Sequence, residues 1–174
     1  MARIVVLVGM MGSGKTTVGK RLASRLGCRF VDTDDLVVAA AGKPVRAIFE
    51  HDGEPEFRRL ESAALVEALS SGEDFVVAAA GGTVLSEANR AAMRDHAACV
   101  VWLDADVATL GQRTARGAHR PLIDDDPQAK LATLDRERRA LYESVADARV
   151  DTAGLDIDEV VSAAAAALAK VRAS

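Results

Sequence analysis

The chain contains little cysteine and no long hydrophobic segment, and both shortages exclude classes of protein. Its two cysteines, Cys28 and Cys99, stand at the start of predicted strands, where a free thiol behaves as a small buried hydrophobe. A disulfide or a metal pair is the weaker alternative in such a chain. The longest apolar runs, residues 75–80 and 97–103, have the length of strands, whereas a membrane-spanning helix needs about 20 apolar residues. We therefore expect free thiols and no membrane-spanning segment.

The chain also lacks an excess of basic residues and a cluster of histidines. Its formal net charge is -4, whereas general nucleic-acid binding requires a basic face that neutralises phosphates. The three histidines, His51, His96 and His119, do not have the spacing of metal ligands. We expect no signal peptide, because the third residue is followed at once by the apolar run of the first strand. These features favour a cytoplasmic protein that binds neither nucleic acid nor a membrane.

Apolar runs that alternate with helical patterns predict the fold class. Hydrophobic residues make up 49% of the 174-residue chain, which suits one domain, residues 1–174, around a single core. Strands that alternate with helices imply an α/β fold with a parallel sheet covered on both faces. Residues 43–72 contain no strand signal, and together with the helix before them they predict a helical insertion at about residues 34–72. The predicted strands are residues 4–8, 29–32, 75–79, 98–103 and 149–151.

A phosphate-binding loop is predicted near the N-terminus. The segment Gly-Met-Met-Gly-Ser-Gly-Lys-Thr at residues 9–16 matches G-x-x-x-x-G-K-[ST] between a predicted strand and a predicted helix. Glycines there let backbone N–H groups point at phosphate oxygens, Lys15 would hold the β- and γ-phosphates, and Thr16 would give its hydroxyl to Mg²⁺. A turn that merely joins strand to helix is the alternative, but the flanking segments favour nucleotide binding. The expected nucleotide contacts are Gly12, Ser13, Gly14, Lys15, Thr16 and Thr17.

Polar or glycine residues follow the next two predicted strands. Ligands of parallel sheets sit at the carboxyl ends of strands, so Asp32, Asp34, Gly81 and Gly82 should meet the phosphate loop in one crevice. Two carboxylates at i and i+2 suit different tasks, one near Mg²⁺, usually through water, and one towards an acceptor hydroxyl. The alternative is that Asp34 or Asp35 is only the N-cap of a helix at residues 36–41.

Residues 114–126 have no hydrophobic periodicity and separate two predicted helices, one at residues 106–113 and one that starts directly after them. We predict a mobile surface loop there. Arg113, Arg116 and Arg120 stand in or beside this loop, where a cation can swing onto a transferring phosphate.

Arginines also cluster on two predicted helices. Arg58 and Arg59 lie on one, and Arg136, Arg138 and Arg139 lie on the other. A solvated helix face is the ordinary explanation for such clusters. Spacing alone therefore assigns none of these arginines to a site.

Taken together, the motifs resemble those of one family. The matching segments are residues 9–16, Asp32-Thr33-Asp34, residues 52–61 with Phe57-Arg58-Arg59-x-Glu61, Gly81-Gly82, Arg120-Pro121-Leu122 and Arg138-x-x-Leu141-Tyr142. From the first strand to Asp151 the chain is similar to shikimate kinase. The resemblance implies ATP-dependent phosphorylation of the 3-hydroxyl of shikimate, a step towards aromatic amino acids. It also implies a three-layer, nucleoside-monophosphate-kinase-like P-loop fold with a five-stranded parallel sheet and a lid at residues 114–126.

The resemblance implies roles for residues at the acceptor end of the site. Asp34 would bind the substrate hydroxyls and orient or deprotonate the attacking one. Arg58 and Arg138 would hold the substrate carboxylate, and Gly81 and Gly82 would offer backbone contacts. A planar guanidinium fork matches a carboxylate, so this implication raises both arginines above the solvated-face explanation.

At the nucleotide end, the resemblance implies that Arg120 reaches the phosphates from the lid and that Arg113 lies against the adenine. Asp32 would approach Mg²⁺ through water, with Thr16 as a direct ligand. The expected catalytic residues are Lys15, Asp34 and Arg120. The implied ligands are ATP, Mg²⁺ and shikimate, and we expect a monomer.

Three places depart from the family's pattern. Ala80 replaces the first of three glycines after the third strand, which an alanine tolerates only where φ is negative. Ala140 stands where proline is common, and residues 152–155 lack a basic residue often found near the adenine. Another small-molecule kinase of the same fold, for gluconate or a nucleoside monophosphate, is the main rival. A nucleotide-binding regulatory module without catalysis is the rival from another class.

Overall fold

The computed structural model describes residues 3–115, 126–171 and 173, which form a parallel sheet with helices on both faces. In this part of the chain the five strands are β1 (Ile4–Val8), β2 (Arg29–Asp32), β3 (Phe75–Ala78), β4 (Cys99–Asp104) and β5 (Ala148–Asp151). All pairs are parallel, and the spatial order is β2-β3-β1-β4-β5. The predicted fold class is therefore confirmed.

Helices occupy the segments between the strands, and three of them lie between β2 and β3. Among the described residues, no helix is both long and apolar enough to cross a membrane. The helices there are α1 (Lys15–Leu26), α2 (Thr33–Ala41), α3 (Val45–His51), α4 (Gly53–Leu69), α5 (Glu87–His96), α6 (Val107–Ala115), α7 (Pro127–Val145) and α8 (Ile157–Val171), with a 3-10 helix at Thr83–Leu85.

The central strand β1 is buried along its whole length, because β3 and β4 flank it and helices cover both of its faces. Its alternate side chains enter two separate cores, as the two-residue period of a strand requires. Val6 and Val8 pack into the core that lies under α4, α5 and α7. Val5 and Leu7 pack into the core formed with α1 and α8. This double burial explains why β1 has no polar residue.

Both cysteines have free thiols, as predicted. Cys99 is buried at the start of β4, whereas Cys28 is half-buried just before β2. Burial raises the pKa of the Cys99 thiol to about 11. The Cys99 side chain is therefore a core residue without a reactive thiolate at neutral pH.

Helix α2 begins earlier than the sequence predicted. An Asp32 carboxylate oxygen accepts a hydrogen bond from the Asp34 amide at 3.1 Å, so Asp32 is the N-cap and the helix starts at Thr33. The alternative in which Asp34 or its neighbour only caps a helix at residues 36–41 is therefore wrong. Asp34 lies in the first turn of α2 and lines the cleft described below.

The segment predicted as a mobile loop, residues 114–126, begins and ends on helices. Helix α6 continues to Ala115, and Asp126 caps α7 by accepting a hydrogen bond from the Ala129 amide at 3.1 Å. The rest of that segment, including Arg116 and Arg120, lies outside the described residues. The lid therefore stays a prediction.

Candidate active site

A cleft at the carboxyl ends of the strands brings together most of the predicted site residues. Its volume is about 650 Å³. Ser13 is buried in the phosphate loop beside the cleft, and Arg120 lies outside the described residues. The predicted site residues that line the cleft are Gly12, Gly14, Lys15, Thr16, Thr17, Asp32, Asp34, Arg58, Gly81, Gly82, Arg113 and Arg138.

The phosphate loop has backbone angles that favour glycine. Gly9, Gly12 and Gly14 have φ values of 145°, 80° and 96°, where any other residue would be strained. Gly14 is also the N-cap of α1, so the loop ends at the positive end of that helix dipole. Lys15 Nζ donates to the carbonyls of Gly9 at 2.8 Å and Met10 at 3.0 Å. The loop can therefore present backbone N–H groups and one ammonium to an anion.

Thr16 and Asp32 form a pair of oxygen donors beside the loop. Thr16 Oγ1 donates to Asp32 Oδ2 at 2.8 Å. Hydroxyl and carboxylate oxygens can coordinate Mg²⁺, which usually keeps several water ligands and is also coordinated by phosphates of the substrate. Within the described ranges no group of three or more His, Cys, Asp or Glu side chains could hold a metal alone. The pair thus fits an Mg²⁺ ion that arrives with a nucleotide.

Two buried threonines, which the sequence analysis missed, hold the turn that follows β3. Thr33 Oγ1 accepts from the Ala80 amide at 2.9 Å and donates to the Ala78 carbonyl at 3.3 Å, and the Thr83 hydroxyl donates to the Ala80 carbonyl. Ala80 fits this turn, because no non-glycine residue in the described part of the chain has a positive φ. The only sequence signal for Thr33 is its place between two aspartates.

Arg58 stands at the acceptor end of the cleft and packs against the same turn. Its Nη1 donates to Glu61 at 2.9 Å, and its Nη2 donates to Glu54 at 3.0 Å. A Cβ at Gly82 would lie 2.6 Å from Arg58 Cζ, closer than real Cβ atoms approach other atoms. Gly82 has a φ of -86°, so glycine is needed there for this close approach and not for the backbone angle.

Glu61 is a buried partner of the site arginines. It is only 2% exposed, and burial raises the pKa of its carboxyl, while the charges of Arg58 and Arg138 oppose that rise. The sequence analysis included Glu61 only in the family's segment and gave it no role. Its i+3 spacing from Arg58 on a helix is the signal that could have found it.

Arg138 is buried in the same end of the cleft, with 3% of its surface exposed. Its Nε has no hydrogen-bond partner among the described residues. Buried polar groups in native proteins are nearly always paired, and the guanidinium that carries this unpaired N–H belongs to a residue that lines the cleft, where an anion can bind. The solvated-face explanation is therefore wrong for Arg138.

Tyr142 lies one turn beyond Arg138 on α7 and joins that helix to the turn after β3. Its hydroxyl donates to the Gly81 carbonyl at 2.7 Å. Burial raises the pKa of Tyr142 to about 12, while the nearby Arg138 guanidinium opposes the rise. The phenol is therefore neutral and can donate this hydrogen bond across the physiological range.

Arg113 lies at the nucleotide end of the cleft. Its Nη1 donates to Thr152 Oγ1 at 2.9 Å and approaches the Gly12 carbonyl at 3.4 Å, and its Nη2 donates to the Thr152 carbonyl at 3.0 Å. The residue thus joins the phosphate loop to the turn between β5 and α8. Its predicted contact with the adenine stays a prediction.

Arg46 on α3 lines the cleft and was also missed by the sequence analysis. It is exposed, and its Nε donates to Glu50, one turn along the same helix, at 2.8 Å. In a chain of net charge -4, the cleft is positively charged on balance, which suits anionic ligands. The described lining residues comprise five cations, Lys15, Arg46, Arg58, Arg113 and Arg138, and three carboxylates, Asp32, Asp34 and Glu61.

The fold and the cleft define a class of protein. A phosphate loop at the carboxyl end of a parallel sheet, facing a pocket with paired arginines and a carboxylate, is typical of a P-loop kinase that acts on a small anionic molecule.

Comparisons with known proteins identify the family. The shikimate kinase family model matches residues 11–169. A shikimate kinase of Symbiobacterium thermophilum is 45% identical over 161 residues, 91% of each chain, and one of Salinispora arenicola is 45% identical over 169 residues, 97% of this chain and 99% of that one. The structure of a shikimate kinase from Acinetobacter baumannii in complex with shikimate matches with a TM-score of 0.92 at 33% identity, covering 98% and 94% of the two chains. The chain belongs to the shikimate kinase family and is an ATP-dependent kinase.

Proposed function

We propose that the chain transfers the γ-phosphoryl group of ATP to the 3-hydroxyl of shikimate, giving shikimate 3-phosphate and ADP. The observation that carries this proposal is the buried Arg138, whose Nε lacks a partner among the described residues while Arg58 lines the same cleft. Two guanidiniums that line the same partly desolvated pocket call for an anion that both can bind. The carboxylate of shikimate is such an anion.

The turn after β3 supports the pairing of the two arginines. Arg58 packs on Gly82, and a Cβ at the neighbouring Gly81 would lie 3.4 Å from Arg138 Nη1. Consecutive glycines thus lie against the two guanidiniums and leave room for them. A guanidinium can donate two parallel hydrogen bonds to a carboxylate, which fixes the acceptor's orientation as well as its affinity.

Asp34 and Lys15 are the proposed catalytic residues among those described. As the 3-hydroxyl oxygen attacks the γ-phosphorus, the new O–P bond forms while the bond to the β–γ bridging oxygen breaks and ADP leaves. Asp34 orients the hydroxyl and accepts its proton. The Lys15 ammonium exchanges its bonds to the Gly9 and Met10 carbonyls for phosphate oxygens, where it stabilises the charge that is transferred.

Thr16 and Asp32 are the proposed Mg²⁺ residues, Thr16 through its hydroxyl and Asp32 through water. When bound with the nucleotide, the ion neutralises charge on the β- and γ-phosphates. Arg113 is proposed to contact the adenine, and Arg120 is proposed to contact the phosphates, in both cases from the family resemblance. The monomeric state and the cytoplasmic location stay predictions.

A panel of acceptors tests the proposed reaction. ADP release is measured with Mg²⁺ and ATP and, in turn, shikimate, gluconate, a nucleoside monophosphate or no acceptor. We expect rapid release with shikimate and only slow background hydrolysis with the others. Faster turnover of gluconate or of a nucleoside monophosphate would show that shikimate is not the substrate. Equal ADP release with and without an acceptor would show that the chain does not transfer phosphate to any of these acceptors.

A second experiment tests the carboxylate clamp. Shikimate and its methyl ester are compared as acceptors for the wild type, Arg58→Met and Arg138→Met. Loss of either arginine should lower kcat/KM for the acid by about 2 to 5 kcal/mol in transition-state free energy, because the anion is left poorly paired. The ester should be a poor substrate of all three proteins. Arg59→Met is the matched control, because Arg59 is exposed and ion-paired with Glu56 outside the cleft; equal use of acid and ester would contradict the clamp.

A further inference from the structure

Arg139, the neighbour of Arg138 on α7, links that helix to the sheet. Its Nη1 and Nη2 donate to the two carboxylate oxygens of Asp104 at 3.1 and 3.0 Å. Its Nε and Nη2 also donate to Asp135 on its own helix, at 3.0 and 3.1 Å. Asp104 is the last residue of β4 and is buried, so the bidentate pair with it is a fixed point between helix and sheet.

Helix α7 is thus held at two points near Arg138, one on the face that carries Arg138 and one further around the helix. Tyr142 lies on the same face as Arg138, because residues i and i+4 lie one above the other, and it is bonded to the Gly81 carbonyl. Arg139 points about 100° away around the helix, towards β4. Buried apolar residues already hold α7 against the core, and two polar contacts at different angles around the helix fix its rotation more closely than either contact would alone.

The rotation of α7 decides where Arg138 lies in the cleft. A rotation of about 10° moves a group at the rim of a helix by about 1 Å. Arg138 is almost fully buried, and its Nε has no partner among the described residues. Water therefore cannot bridge a gap between the guanidinium and the ligand, so the guanidinium itself has to be placed correctly. Displacements of this size at a positioning group are large enough to lower rates about 10²-fold.

We propose that Arg139 is a positioning residue, which sets the rotation of α7 through its ion pair with Asp104 and so places the Arg138 guanidinium on the acceptor carboxylate. The inference rests on the proposed function, because it takes Arg138 to bind that carboxylate. Arg139 itself does not line the described cleft, so it acts only through its neighbour.

The chain offers a closely matched control in Arg149 on β5. Arg149 Nε donates to the same Asp104 carboxylate at 2.9 Å. Both arginines also lie over the ring of Trp102, Arg139 at 5.3 Å and Arg149 at 4.9 Å from its centre. Removal of either arginine therefore costs an ion pair with Asp104 and one ring contact at the same place, but only Arg139 belongs to α7, and its removal also costs the pair with Asp135. In each single variant Asp104 keeps one arginine partner, so we expect both variant proteins to fold.

The experiment measures kcat and KM for shikimate and for its methyl ester with the wild type, Arg139→Gln and Arg149→Gln, together with each protein's Tm. For Arg139→Gln we expect kcat/KM for the acid to fall about 5- to 20-fold, mainly through KM, since the carboxylate contact is misplaced and not removed. The ester, which offers the arginines no charge, should change less than about twofold. Arg149→Gln should change kcat/KM less than about twofold with either acceptor, although its Tm should also fall, because it too loses an ion pair with Asp104.

Several outcomes would overturn the inference. Equal losses of kcat/KM in Arg139→Gln and Arg149→Gln would reduce Arg139 to a structural residue, and so would an equal loss with acid and ester. If Arg139→Gln does not fold, Arg139→Lys takes its place, since it keeps the charge but loses the bidentate geometry, and an unchanged KM for the acid would then decide against positioning. Arg138→Met is measured alongside as a test of the proposed function itself. If Arg138→Met loses kcat/KM equally with acid and ester, the proposed carboxylate clamp fails. If Arg138→Met loses kcat/KM only with the acid and Arg139→Gln does not, only the role of Arg139 is refuted.

Discussion

The two ends of the cleft are built in different ways. The phosphate end consists of consecutive residues, 9–16, in which three glycines with positive φ shape the backbone. The acceptor end consists of side chains that come from separate elements and are far apart in the sequence. Those side chains are Asp34 on α2, Arg58 on α4 and Arg138 on α7, and further residues hold them: Glu61, Tyr142 and, by our inference, Arg139.

This difference determines what each end tolerates. The phosphate end carries its own geometry in its backbone, so most changes elsewhere in the chain should leave it intact. The acceptor end depends on how three helices pack against the turn after β3, so a change in a residue that touches no ligand can disable it. The predictions below separate the two ends, in order of decreasing effect.

The largest effect is expected at the phosphate end, where a single side chain adds the charge. Lys15→Ala should lower kcat by about 10³-fold or more, because the ammonium that stabilises the transferring phosphate is lost. The backbone loop should persist, so the free energy of unfolding should change by less than about 1 kcal/mol. The measurements are ADP release and chemical denaturation, with the exposed Lys20→Ala on the same helix as the control. A folded Lys15→Ala protein with near-normal turnover would refute the role.

The next effect concerns the two acceptor arginines as a unit. Arg58→Met and Arg138→Met should each cost about 2 to 5 kcal/mol in kcat/KM for shikimate, but the double variant should lose less than the sum. Once one arginine is gone, the carboxylate is misplaced and the second contributes less, so the coupling should be about 0.5 to 3 kcal/mol. Strict additivity in this double-mutant cycle would mean that the two residues bind different groups.

A smaller effect should follow from a change that touches the acceptor end only indirectly. Gly82→Ala keeps an allowed backbone, since φ is -86°, but its methyl group would displace the Arg58 guanidinium. We expect kcat/KM for shikimate to fall about 10- to 100-fold, with little change in the KM for ATP or in stability.

Gly111→Ala on α6 is the control for Gly82→Ala. Its Cβ would lie 2.7 Å from Gln128 Oε1, which is likewise the movable end of a side chain but lies away from the acceptor residues. The control should change kcat/KM for shikimate less than about twofold, because Gln128 can move without touching the acceptor pocket. Similar losses of kcat/KM in the two alanine variants would show that Gly82 has no specific role in placing Arg58.

The same contrast explains how much the sequence could predict. The phosphate loop, the strands and the parallel sheet follow from local patterns, namely a motif, apolar runs and helical periodicity. The run Arg136, Arg138, Arg139 shows where such patterns stop being informative. The structure leaves Arg136 exposed, buries Arg138 in the cleft and pairs Arg139 with Asp104.

These three environments arise from the rotation of α7 against the sheet, which no window of the sequence specifies. The family resemblance singled out Arg138, whereas the spacing of the arginines did not. Arg139 and Thr33 were missed for the same reason, since Asp104 and the turn after β3, which they contact, are brought to them by packing between elements. Glu61 differs, because its partner Arg58 lies three residues away on the same helix. Residues 116–125, with Arg120, lie outside the described part of the chain, so that part of the predicted site rests on the loop's sequence pattern and on the resemblance.

The smallest effect is expected from the hydrogen bond that holds α7 at the acceptor end. Tyr142→Phe should cost about 1 kcal/mol of stability at neutral pH, because the partly buried hydrogen bond to the Gly81 carbonyl is lost. The pKa of Tyr142 is raised to about 12 in the folded protein, against about 10 in an unfolded chain. A neutral phenol therefore contributes stability that is complete below pH about 10 and is lost as the pH rises towards 12.

The chain's composition makes this prediction directly measurable. Tyr142 is its single tyrosine, so the near-ultraviolet absorbance of tyrosinate reports this residue alone. In the folded protein the absorbance should rise about 2 pH units later than in denaturant, and the stability difference between wild type and Tyr142→Phe should shrink over that interval. Tyr142→Phe, which has no titrating phenol, gives the baseline. A folded midpoint near pH 10 would show that the phenol is solvated, so that α7 is not held at Gly81 as the structure has it and the acceptor end lacks one of the two contacts that fix Arg138.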